Sequence, residues 1–172
     1  MGTERDYQKI QEITACYRKR LLQIPEDKFI QRPTFGGWSC SEVYFHIFDA
    51  SMLSMDAMTA AAMGAGKDRK THFLVKLVLF ADMLPPGKKF KAPAMLEQRL
   101  RTVTKAEAFD MLTGFLQGLE KVYHLLSDAS SHSKTRHPVM GYLNAKAWLR
   151  FIEIHLNHHL KQLKRIMDSL DI

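Results

Sequence analysis

Four stretches of this chain carry mostly apolar residues at steps of three and four, the spacing that lines up one face of an α-helix. The first runs Tyr7, Ile10, Thr14, Tyr17, Leu21 and Ile24, and Pro25 ends it. The second runs Val43, His46, Ala50, Leu53, Ala57 and Ala60, and Gly64 and Gly66 close it. The third is Phe109, Leu112, Leu116, Leu119, Tyr123 and Leu126, and the fourth is Trp148, Ile152, His155, His159, Leu163, Ile166 and Leu170. No segment alternates convincingly with period two. Four amphipathic stretches of bundle length predict an all-α protein, a four-helix bundle with heptad-like cores.

Helix starts are written into the sequence as well. Ser39-Cys40-Ser41-Glu42 and Thr104-Lys105-Ala106-Glu107 both have the capping-box pattern, in which the first side chain and the fourth satisfy orphan amides reciprocally. Between helices two and three lies a long crossover, Lys67 to Pro93, with a short helix expected from Thr71 to Leu84 before the proline- and lysine-rich run at Pro85–Pro93. Its lysines Lys88, Lys89 and Lys91 are expected to draw anionic substrates, with Phe73, Leu77 and Phe90 lining an entrance. Ser127 to Pro138 reads as a polar loop.

A chain of 172 residues suits one domain, spanning 1–172, with a core that needs no staples. The N-terminal segment lacks the apolar core of a signal peptide, and Cys16 and Cys40 show no paired spacing, so a cytoplasmic setting is expected. The formal charge is +7, yet lysine and arginine fall in short separate groups rather than interleaved with aromatic residues, so no nucleic-acid partner is expected. No apolar run approaches the length needed to cross a bilayer, so no membrane partner is expected. Phe45, Phe48, Met52 and Met55 make the second helix apolar around much of its circumference, which predicts neighbours on several sides and a homodimer through this helix.

Three of the eight histidines stand where the stripes call for leucine: His46, His155 and His159. Burying an imidazole without a partner costs on the order of a few kcal/mol, so each needs a hydrogen bond, a carboxylate or a metal. His155 and His159 are one helical turn apart and project from one face, as two ligands of one ion must. The residues alone leave two alternatives open: the rings satisfied separately, or His158 taking the place of one of them. His72, His124, His132 and His137 are expected to be exposed or locally bonded. Asp49 and Gln162 are secondary candidates for orienting a ligand, although Glu153 and Gln162 are read first as solvent-exposed, and Tyr44, Tyr123 and Tyr142 as core residues.

Trp38-Ser39-x-x-Glu42-x-x-x-His46, His137-Pro138-x-x-Gly141-x-Leu143, and Trp148 followed by His155-x-x-His158-His159-x-x-Gln162 together resemble the DinB-like family, with its YfiT-like and thiol-dependent transferase branches. The resemblance spans nearly the whole chain. It implies a metal-binding His triad, one ligand from the second helix and two from the fourth, at His46, His155 and His159. Met140 stands where an aromatic residue is common, and Leu160-Lys161 replaces an Arg-Gly pair, departures that bear on the substrate pocket.

Three neutral imidazoles leave the ion its full charge and an open coordination position, and zinc and nickel both suit such a donor set. Hydrolysis and low-molecular-weight thiol transfer are both available to such a centre, acting on a small molecule. No serine or cysteine nucleophile with a positioned base occurs, nor a phosphate-binding glycine loop. The expectation is therefore a metal-dependent thiol transferase or hydrolase, with a non-catalytic metal-stabilised bundle or a small-ligand-binding stress protein as the rival reading.

Overall fold

The computed structural model describes residues 2–81 and 98–172. The expected lysines and Phe90 of the crossover lie outside them, as do the side chains of Phe73 and Leu77. Four long helices form the bundle: α1 (Thr3–Gln23), α3 (Cys40–Ala62), α5 (Lys105–Tyr123) and α6 (Ala145–Ser169). Among the described residues, two short ones, α2 (Glu26–Phe29) and α4 (Phe73–Ala81), sit in the connections. Helix α6 packs against both α1 and α3, and α5 closes the other side against α3. No helix among the described residues is long and apolar enough to cross a membrane.

Both capping boxes form. Ser39 Oγ accepts from Glu42 N while Glu42 Oε2 accepts from Ser39 N, and Thr104 and Glu107 do the same at α5. Each such cap stabilises its helix by about 1 kcal/mol. The α6 start is held by Asn144, whose Oδ1 accepts from Ala147 N. In the core, Tyr17, Tyr44, Phe29, Phe48 and Phe115 are fully buried. The two phenols remain satisfied because Tyr17 donates to Leu156 O and Tyr44 donates to Tyr17 O. Tyr44 is thus a core residue, and Tyr123 donates to Glu4 at the surface.

The stripes hold along α1 and α6 but drift elsewhere. In α3 the buried side chains after Ala50 are Ser51, Ser54, Met58 and Ala61, leaving Leu53 39% exposed; in α5 they are Ala108, Leu112, Phe115 and Leu119, leaving Phe109 38% exposed. In α5 the buried set keeps heptad spacing, with Ala108 and Phe115 in place of Phe109 and Leu116, and in α3 it runs in steps of four from Ala50 to Met58. Tertiary packing therefore selects which flank of each apolar face turns inward.

The polar segment after α5 is not all loop. Strands β1 (Lys134–His137) and β2 (Gly141–Asn144) form an antiparallel hairpin, with Thr135 opposite Leu143. Its residues show no apolar alternation, and tertiary contacts hold it instead. Thr135 Oγ1 donates to Ala57 O on α3 and accepts from Trp148 Nε1 on α6, and Lys67 pairs with Lys134 beside it. Gly66 permits that approach, since a Cβ there would stand 2.4 Å from Lys134 N.

The apolar excess of α3 is covered in part within the chain, Met52 and Met55 being half-buried. Phe48 is fully buried and Phe45 is 8% exposed beneath the Arg101 guanidinium. Met55 packs where Gly118 of α5 leaves room, a Cβ at that glycine falling 2.6 Å from Met55 Cε.

Candidate metal centre

His46 comes from the second turn of α3, and His155 and His159 from successive turns of α6, the helix packed against it. The structure brings the three together, one nitrogen from each lying within 4.8 Å of the others. His155 Nε2 and His159 Nε2 are 3.0 Å apart. His158 points away: it is exposed, and its ring stands edge-on to that of His159. Trp38, at the approach to α3, covers the cluster by packing on His46 at 4.8 Å and stacking on His159 at 6.1 Å between ring centres.

Gln162 is where the sequence reading needs correcting. It is half-buried rather than solvent-exposed, and its Oε1 accepts from His159 Nδ1 at 2.8 Å. That bond puts the proton on Nδ1 and leaves the Nε2 lone pair facing His46 and His155. Asp49 behaves differently. It takes a two-pronged contact from Arg99, at 2.6 and 2.9 Å, and acts on His46 through its charge rather than by a hydrogen bond. Glu42 is committed to its cap and to Arg32.

Glu153, expected at the surface, is 2% exposed and belongs to a buried ionic group with Asp6, Arg150 and Lys9. Of the other histidines, His132 Nδ1 contacts Asp68, His72 and His124 are exposed, and His137 caps the hairpin turn by accepting from Val139 N and Met140 N.

Burial dominates the electrostatics of the cluster. It lowers the His46 pKa to about 4, against a smaller opposing effect from Asp49, and depresses His155 and His159 strongly, with neighbouring imidazoles adding to the effect. At neutral pH the three rings are uncharged, the state in which imidazole binds a metal. One consequence concerns stability. Because the folded pKa lies below the unfolded value near 6.5, both states are neutral above that pH, and stability falls as the pH drops from 6.5 toward 4. His46 alone is expected to cost metal-free protein about 2 kcal/mol between pH 7 and pH 5. Urea unfolding midpoints across that range check this, and a flat profile would contradict the buried neutral state.

A helical bundle with three imidazoles converging between two facing helices is a candidate metal-binding bundle. The chain belongs to the DinB superfamily, whose profile matches residues 10–163. It is 23% identical to the uncharacterized protein YuaE of Bacillus subtilis over 151 residues, 88% of this chain and 90% of that protein. The fold is similar to that of YfiT from Bacillus subtilis, described as a probable metal-dependent hydrolase with an unusual four-helix bundle topology. The TM-score is 0.64 at 14% identity, covering 98% of this chain and 87% of YfiT.

Proposed function

We propose that this protein is a metal-dependent hydrolase of small molecules, with a divalent ion, zinc or nickel, held by His46, His155 and His159. The observation that carries the reading is the convergence of three neutral imidazole nitrogens on one point. Two ligands about 2.0 Å from a tetrahedral ion stand roughly 3.3 Å apart. The His155–His159 spacing of 3.0 Å is already close to that, and the His46 nitrogen stands within 4.8 Å of both. No carboxylate completes the set among the described residues, which leaves a position for water or substrate.

When bound, the ion supplies Lewis acidity, polarising a carbonyl or phosphoryl oxygen and making water acidic enough to react near neutral pH. The protein's own contribution is positional. Gln162 fixes which nitrogen of His159 faces the site, the Phe151 ring stacks on His155, and Trp38 shields His46 and His159 from bulk water.

Zinc- and nickel-loaded protein should be assayed against a panel of small esters, amides and phosphate esters, with and without added thiol. The expected result is hydrolysis that a chelator abolishes and metal restores, independent of thiol. Turnover that requires thiol would replace hydrolysis with transfer, and a filled site without turnover would favour a structural metal.

A further inference from the structure

The His137-Pro138 motif is not used by the metal centre, yet its histidine is held in one definite state. His137 Nδ1 accepts two backbone amides, Val139 N at 3.0 Å and Met140 N at 2.9 Å, so that nitrogen carries a lone pair and the ring proton resides on Nε2. Burial lowers the pKa of this ring to about 4, so it is uncharged at neutral pH. Trp148 and Phe151 pack against the ring, with ring centres 5.2 and 4.4 Å away. Among the described residues Nε2–H has no hydrogen-bond partner, and the residue is half-buried.

That donor lies beside the metal centre. Phe151 is one turn before His155 on α6 and stacks on it at 5.3 Å, so a single phenyl ring separates His137 from the nearest proposed ligand. The His137 charge, when present, also acts on His155. A neutral donor pinned by two amides suits recognition of an oxygen acceptor, because nothing must be reoriented when the acceptor arrives.

We propose that His137 orients substrate: its Nε2–H donates to a carboxylate at one end of a small molecule whose other end binds at His46, His155 and His159. This rests on the metal-site reading above, and it adds a substrate class, short molecules with a metal-binding group and a carboxylate a few bonds apart. Phe151, packed between His137 and His155, sets the distance between the two ends. The exposed Val139 side chain, 57% accessible on the hairpin turn, belongs to the same element as the donor.

The test uses cobalt-loaded protein, whose visible spectrum reports thiolate binding. The probes are mercaptoacetate, 3-mercaptopropionate and 4-mercaptobutyrate, each compared with the plain alkyl thiol of equal length. In the wild type one chain length should bind at least about tenfold more tightly than its uncharged counterpart, the gain expected of a hydrogen bond to a charged acceptor. His137→Asn keeps an acceptor where Nδ1 lies, and so keeps the turn, but loses the distant donor; it should erase the preference while cobalt content stays unchanged. His137→Gln places an amide N–H near the Nε2 position and should restore part of it. A preference absent from the wild type, or surviving in His137→Asn, would overturn the proposal, as would a nitrogen NMR spectrum of metal-free protein placing the ring proton on Nδ1. Those results leave the metal site standing. Failure of the wild type to take up cobalt would overturn both readings.

Discussion

Replacing His155 or His159 with alanine is expected to lower divalent-metal affinity by more than about 100-fold while leaving the bundle helical. The size follows from the donor set: the cluster offers three nitrogens, so losing one leaves two neutral ligands and a site open to water. Helicity should survive, because α6 carries Trp148, Ile152, Leu156, Leu163 and Ile166 in the core and keeps its Asn144 cap. Gln162→Leu should lose less, about 10- to 100-fold, since it frees the His159 ring to turn without removing a ligand. His158→Ala should change metal content little. Elemental analysis of untagged protein, with circular dichroism on the same samples, separates these outcomes. A variant at His158 that empties the site would reverse the ligand assignment.

How far the sequence carried this site can be read from the same residues. Helix starts were legible because a capping box is local: Ser39 with Glu42, and Thr104 with Glu107, need no tertiary partner to be recognised. His46, His155 and His159 were legible because an imidazole on an apolar stripe is anomalous wherever the helix lies. What packs over a residue was less so. Phe109 sits on a heptad position, but its ring is half-turned to solvent beneath Arg18, and Ala108 takes the core side. The β-hairpin was missed because its strands, Lys-Thr-Arg-His and Gly-Tyr-Leu-Asn, have no alternation, and their stability comes from Ala57, Trp148 and the Gly66 approach. Gln162 was legible as a candidate for orienting a ligand but not as a half-buried residue, because an amide at i+3 from a histidine is ordinary on a helix surface and its contact with His159 depends on how α6 packs.

Arg150 gives the largest stability effect expected outside the metal site. It is 8% exposed on α6, where its Nη1 donates to Asp6 of α1 and stands 3.5 Å from Glu153 Oε2, while its Nε donates to Leu79 O of α4. One guanidinium thus ties three helices and balances two carboxylates that are almost out of water, Asp6 at 8% and Glu153 at 2% exposed. Burial already pushes the Glu153 carboxyl up, with Lys9 and Arg150 pulling the other way. Arg150→Met preserves much of the packing but removes the balancing charge, and breaking a buried pair in this way costs about 3–5 kcal/mol. The deficit should shrink on neutralising the acids: Arg150→Met combined with Asp6→Asn and Glu153→Gln is expected to recover more than half of it, because amides of the same shape tolerate burial without a counter-charge. The pH gives a second handle with a definite sign. Without Arg150 the folded pKa of Glu153 rises further above its unfolded value, so its penalty grows as pH rises through the folded pKa and fades below the unfolded one near 4.3. Relative to the wild type, the single variant should therefore be weakest at neutral pH and closest near pH 4, whereas the triple variant should follow the wild type throughout. Urea unfolding of all three proteins measures this, and a loss below about 1 kcal/mol in Arg150→Met would mean that Arg5 and Lys9 already balance the carboxylates.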